Sequence, residues 1–258
     1  MMSFFYEINP IWQAFLATII TFLLTSLGSA CVFLFKNINK KYMDCMLSIS
    51  AGIMLASAFF SLLNPAIDNA TNLNLTPWVV CSIGIFLGIS LLFFGDKIYS
   101  KKNIKNGKIN NLILSITLHN IPEGMAIGVA FGSIAHGLNN ASVISAITLA
   151  IGIGIQNFPE GSAISFPLYR EGYSKFKSFI IGSLTAAVEP IAALLGAILV
   201  IKIQFIMPLL LAFAAGAMLY VIVTELIPES MASEKKELMA LYLGIGFIIM
   251  MILDISLG

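Results

Sequence analysis

Charge is scarce in this chain. Only 10% of its 258 residues are Asp, Glu, Lys or Arg, against ~25% in a typical soluble domain, while 59% are apolar. That shortage excludes an ordinary water-soluble protein and places the chain in a bilayer. Cysteine is scarce as well. Cys31, Cys45 and Cys81 are odd in number, lie in or beside apolar runs and lack C-x-x-C spacing, which argues against a disulfide framework and reads as small buried hydrophobes. Histidine occurs only as His119 and His136, and neither H-E-x-x-H nor E-x-x-H is present. The helical metal motifs of intramembrane proteases and di-iron oxidases are therefore missing. A net charge of +1 gives no support to nucleic-acid binding. Glu7 is the only early charge and the first apolar run is long enough to span, so no cleavable signal peptide is expected.

Long apolar runs are what the chain has in abundance. A membrane span needs about 20 mostly apolar residues. That criterion gives eight spans, at roughly 11–35, 43–67, 77–96, 111–133, 142–168, 177–201, 205–228 and 238–257. The loops between them are short. The expected fold is all-α, a polytopic membrane protein with residues 1–258 forming one transmembrane domain. Thirteen of the fourteen basic residues fall in the first, third, fifth and seventh connections, and Lys202 alone lies on the other side. Since cytoplasmic loops carry the excess of Lys and Arg, the expectation is a cell-membrane protein with both termini outside.

Weak internal symmetry is also present. Gly52-x-Met54-Leu55 with Leu62 recurs as Gly216-x-Met218-Leu219 with Leu226, and Gly88 with Asp96 recurs as Gly246 with Asp254. These matches set span 2 against span 7 and span 3 against span 8, in opposite directions across the membrane. The pattern suggests inverted repeats, spans 1–3 against 6–8, around central spans 4 and 5. In transporters such repeats place the substrate site at the midplane.

Two related motifs interrupt the central spans. His119-Asn120-Ile121-Pro122-Glu123-Gly124 lies in span 4, and Gln156-Asn157-Phe158-Pro159-Glu160-Gly161 in span 5. An ionisable group at the bilayer centre costs a few kcal/mol even on lenient scales, and is a functional-site hypothesis by default. In each motif the first residue and the glutamate are four apart, and the asparagine and glutamate three apart, so the three side chains share one helical face. Counted from the start of its span, the span 4 motif lies about 12–18 Å deep at 1.5 Å per residue, and the span 5 motif at a comparable depth. Pro122 and Pro159 each remove a backbone donor and disturb bonding to the carbonyls of Leu118 and Ile155. Glu189, before Pro190 in span 6, adds a third carboxylate at matching depth. Three glutamates in one low-dielectric chamber cannot all stay ionised without a cation. An alternative for Glu189 is a neutral carboxyl bonded to a neighbouring helix.

One imidazole, amide oxygens and carboxylates, without thiolate, suit Zn²⁺, Fe²⁺, Mn²⁺ or Cd²⁺ better than Cu⁺, and softness does not rank those four. The expected partners are divalent metal ions and the lipid bilayer, with no catalytic cofactor. His136, among Gly and Asn in an outer loop, reads as a solvated histidine. Asp68 and Asp254, toward the outer ends of spans 2 and 8, either draw cations to an entrance or are ordinary helix-end charges. Glu225, Glu229, Glu234 and Glu237 lie on the inner side, the last two in a turn with Lys235 and Lys236.

With H-N-x-P-E-G in span 4, Q-N-x-P-E-G in span 5 and Glu189-Pro190, the chain resembles the ZIP (Zrt/Irt-like) metal transporters, and most of all their bacterial GufA-like branch. The resemblance extends to Ala51-Gly52-Ile53-Met54-Leu55-Ala56-Ser57, to Ala214-Ala215-Gly216-Ala217-Met218 through Glu225-Leu226-Ile227-Pro228-Glu229, and to Met250-Met251-x-Leu253-Asp254. It implies metal import toward the cytosol and a binuclear midplane site. His119, Glu123, Gln156 and Glu160 would form one position. Asn120, Asn157 and Glu189, with Glu123 and Glu160 bridging, would form the other. Some relatives carry an aspartate where this chain has Asn157, and the neutral amide bears on the strength of the second position. The resemblance also implies a homodimer and a movement of spans 1, 4, 5 and 6 against spans 2, 3, 7 and 8. The competing readings are a metal-selective channel, which the sequence does not separate from a carrier, and an intramembrane metalloenzyme, against which the missing motifs speak.

Overall fold

The computed structural model describes residues 8–34, 40–101, 107–137 and 142–257. Among them the chain is helical throughout, with α1 (Pro10–Ala30), α2 (Lys40–Ser57), α3 (Asn64–Asn72), α4 (Pro77–Lys101), α5 (Gly107–Ala135), α6 (Val143–Arg170), α7 (Lys175–Leu184), α8 (Val188–Ile198), α9 (Val200–Val221), α10 (Ile227–Met231) and α11 (Lys236–Leu257). The all-α expectation holds. Seven stretches of the described residues are long and apolar enough to cross a membrane, and they match expected spans 1–3 and 5–8. Over expected span 4 runs α5, 29 residues long, which is outside those seven although its length suffices at 1.5 Å per residue. Lys36, Lys102 and Lys105, three of the basic residues that set the expected orientation, lie outside the described residues. Trp12, Ile20, Phe86, Ile191 and Ile255 are among many large apolar side chains left exposed on the surface, as a multi-pass membrane protein requires of its lipid-facing shell.

Local chemistry sets the helix ends. Asn9 caps α1 by accepting from the Ile11 N–H, with Pro10 in the first turn. Ser142 and Ser174 accept likewise from Ser145 and Lys177 at the starts of α6 and α7. Each satisfies an amide that the first helical turn leaves unpaired. Between α8 and α9 only Leu199 is non-helical. The sequence reading put this connection at residues 202–204, but Lys202-Ile203-Gln204 contains no turn former and is absorbed into α9.

Glycine lets four helix pairs close to backbone contact. A Cβ built on Gly161 of α6 would lie 2.0 Å from the Thr25 carbonyl of α1, and one on Gly128 of α5 would lie 2.2 Å from the Ala193 carbonyl of α8. In the same way a Cβ on Gly52 of α2 would meet the Leu243 carbonyl of α11 at 2.0 Å, and one on Gly88 of α4 the Phe213 carbonyl of α9 at 2.1 Å. Only glycine allows backbones so near. The welded pairs are α1–α6, α5–α8, α2–α11 and α4–α9.

The sequence matches between spans 2 and 7, and between 3 and 8, coincide with shared local geometry. After the Gly-x-Met-Leu of α2 comes a π-type segment, Ala58–Leu63, and after that of α9 another, Ile222–Leu226, each followed within two residues by proline. Ser61, in the first π segment, donates to Asp254 at 2.7 Å, while Tyr220, just before the second, donates to Asp96 at 2.5 Å.

Candidate metal site

Asn120 and Glu123 come from α5, Gln156, Asn157 and Glu160 from α6, and Glu189 from α8, and all six are fully buried. Both α5 and α6 run unbroken through Pro122 and Pro159. Span 6 is the one that breaks: a 3₁₀ turn, Thr185–Ala187, separates α7 from α8 and puts Glu189 in the first turn of α8. There the positive end of the helix dipole favours a carboxylate. His119 belongs to α5, one residue before Asn120, but its side chain lies outside the described residues.

Side-chain amides meet the carboxylates. Gln156 Nε2 donates to Glu123 Oε1, and Asn157 Nδ2 donates to Glu189 Oε1 at 2.8 Å. The carboxyl of Glu123 lies within electrostatic reach of Glu160 and Glu189, so the three acids form one charged neighbourhood. Three buried oxygens there, Asn120 Oδ1, Glu123 Oε2 and Asn157 Oδ1, have no hydrogen-bond partner. Buried polar atoms are nearly always satisfied, and exceptions together in one chamber point to an ion. Among the described residues no three His, Cys, Asp or Glu side chains form a ready cluster for an ion.

Two hydroxyls that the sequence reading passed over belong to this chamber. Thr21 of α1 donates to Glu189 Oε2, and Ser57 of α2 donates to Gln156 Oε1. Both are fully buried. The Ser57 bond joins α2 to α6.

Asp68 and Asp254 converge, although they are far apart in sequence. With Ser61, Asn64, Thr148 and Gly152 they line a cleft of about 560 Å³. The cleft lies between the stretch that joins α2 to α3, α6 and α11. Its floor approaches the chamber: Gly152 is one turn of α6, about 6 Å, from Gln156. Asp68 is exposed and Asp254 half-buried. At the far end of α6, Arg170 forms an ion pair with Glu229 of α10. Glu225 lies at the second π segment, while Glu234 and Glu237 are solvent-exposed. His136 is exposed, its Nδ1 2.9 Å from the Gly132 carbonyl.

Comparison with known proteins bears on the reading. A family model described as ZIP zinc transporter matches residues 103–254. The chain is 34% identical to zinc transporter ZIP11 of Xenopus tropicalis, over 97% of this chain and 98% of the relative. It is 31% identical to zinc transporter ZIPB of Bordetella bronchiseptica, over 92% and 79%. It is 40% identical to zinc transporter GufA of Myxococcus xanthus, over 57% of this chain and 55% of that protein.

Proposed function

This chain belongs to the ZIP zinc transporter family, and from that premise we propose that it carries zinc across the cell membrane toward the cytoplasm by alternating access. The observation that carries the reading is the buried chamber of six polar side chains with three unpartnered oxygens. His119, Asn120, Glu123, Gln156, Asn157, Glu160 and Glu189 are its metal-binding residues, and Fe²⁺, Mn²⁺ and Cd²⁺ are chemically acceptable cargo. Residues 1–258 act as one transmembrane domain of eight spans, α5 being the fourth, with both termini outside. The Arg170 end of α6 is then cytoplasmic and the 560 Å³ cleft opens outward. Spans 1, 4, 5 and 6 move as a unit against spans 2, 3, 7 and 8. The test is metal uptake into proteoliposomes: a saturable influx supports a carrier, and flux no greater than through protein-free vesicles overturns it. Anomalous scattering from metal-soaked crystals locates the ion, and ions outside the chamber of α5, α6 and α8 overturn the site.

Two further outcomes follow from the same reading. Asp68 and Asp254 at the cleft attract divalent cations by long-range steering, which is screened by salt. The Asp68→Asn, Asp254→Asn double variant is expected to raise KM several-fold at low ionic strength with maximal rate retained, and the difference should shrink in 0.5 M salt, about a 4 Å Debye length. The Arg170–Glu229 pair closes the inner face while the cleft is open. It is about 40% exposed, so its effect is small, about 1 kcal/mol or less. Arg170→Glu is expected to lower labelling of a cysteine placed at Thr148 by up to about fivefold, and the Arg170→Glu, Glu229→Arg swap should restore it. Labelling unchanged by Arg170→Glu would remove the pair from gating.

A further inference from the structure

Glycine inside a helix weakens it relative to alanine, so each one there calls for a reason. Many glycines of this bundle have one in packing: at Gly28, Gly124 or Gly196 a Cβ would run into the backbone of a neighbouring helix. Gly152, well inside α6, has no such reason. A Cβ built there meets no atom within 4 Å, and its φ is not positive. Gly244 is as open but does not line the cleft; Gly152 does. The polar side chains around Gly152 are in line. On α6, Thr148, Gly152 and Gln156 follow one another at four-residue steps, about 6 Å apart on one face. Opposite them Asp68, Asn64, Ser61 and Ser57 recur every three or four residues, and the first three share the cleft lining with Thr148. Ser57 and Gln156 are joined by a hydrogen bond. The two faces therefore converge from the cleft toward the chamber, past the position where α6 has no side chain. A cation's six waters take about 180 Å³ at about 30 Å³ each, so the cleft of about 560 Å³ admits an ion with its shell.

We propose that Gly152 is the aperture of the cargo's path: the side chain it lacks leaves room for a divalent cation, still carrying part of its water shell, to pass from the cleft to Gln156. This rests on the reading of the chamber as the metal site. Gly152 offers the ion no side-chain atom. It therefore governs how fast the ion enters and leaves, and not how tightly the chamber holds it.

A side-chain series at this position is the test. Gly152→Leu is expected to slow saturable Zn²⁺ uptake into proteoliposomes by about tenfold or more, the factor to which overpacking corresponds, and Gly152→Ala by less. Equilibrium binding of Zn²⁺ in detergent should stay within about twofold of the original chain in both, since a narrower path slows entry and exit alike. Thermal stability should not fall, because the added atoms meet open space and both residues favour the helix over glycine. A glycine needed only for folding would move stability and affinity together with uptake. Gly152→Cys is the second variant, should Gly152→Leu not assemble. A small, charged, membrane-impermeant thiol reagent added outside is expected to stop its uptake, and Zn²⁺ to slow the modification, with the original chain treated alike as the control for Cys31, Cys45 and Cys81. Uptake by Gly152→Leu within about twofold of the original, a loss of uptake matched by an equal loss of affinity, or uptake by Gly152→Cys untouched by the reagent overturns the proposal. Absence of saturable uptake by the unsubstituted chain overturns the carrier reading itself.

Discussion

Replacing both Glu123 and Glu160 with alanine is expected to abolish saturable zinc uptake while leaving the protein folded. The two glutamates come from the paired motifs on α5 and α6 and are fully buried. Taking the charged partners away from a buried ion removes about 3–5 kcal/mol, so metal affinity should fall by on the order of a hundredfold or more for each carboxylate lost. Stability should move the other way. Empty, the chamber concentrates three acids, and replacing buried charges by apolar groups is often neutral or stabilising by about 1–4 kcal/mol. A melting temperature equal to or above that of the original chain, together with uptake at the level of empty vesicles, is the expected pair of results. Uptake within twofold of the original would remove these carboxylates from the path.

The second large effect concerns the welds. Gly161→Ala places a methyl group 2.0 Å from the Thr25 carbonyl, where the obstacle is backbone and no rotamer change relieves it. Overpacking against ordinary side chains costs about 1–3 kcal/mol, and a rigid carbonyl makes that range a floor. The variant is expected to separate α1 from α6 and to give little folded protein in detergent. Gly244→Ala is the matched control, because a Cβ there meets nothing within 4 Å. In a helix interior alanine is favoured over glycine by about 1 kcal/mol, so this variant should match or exceed the original in thermal stability. Equal behaviour of the two would show that this weld does not hold α1 to α6.

Much of this arrangement was legible in the residues. A carboxylate three positions from an asparagine and four from a histidine or a glutamine, repeated in neighbouring apolar helices, has few reasons to exist outside a polar chamber, and α5 and α6 do bring the two motifs together. Asp68 and Asp254 were picked out only as acids near span ends, and they share one cleft. Thr21 and Ser57 escaped notice for a physical reason. A hydroxyl in an apolar helix ordinarily bonds its own backbone a turn earlier, as Thr18 does to Ala14 and Thr25 to Thr21. Nothing local separates Thr21 from these neighbours. The signal would have been the stripe Gln13, Thr18, Thr21, Thr25 on one face of α1, which an apolar packing face does not need. The π segments were equally hidden, since one extra residue in a turn leaves no mark in a hydrophobic run. Glu189 reads as part of a continuous helix, because the break at Thr185–Ala187 has no glycine or proline to announce it.

Leu199 sets a limit on how far α8 and α9 can part. It is the one non-helical residue between them. A residue spans at most about 3.6 Å, so at this corner the chain has almost no slack. Displacement elsewhere must swing about Leu199 as a gate swings on its post, with an arc that widens with distance from it. Cysteines flanking Leu199 should therefore cross-link equally well whether the vestibule is open or shut, while pairs across the opposite edge should link in only one state.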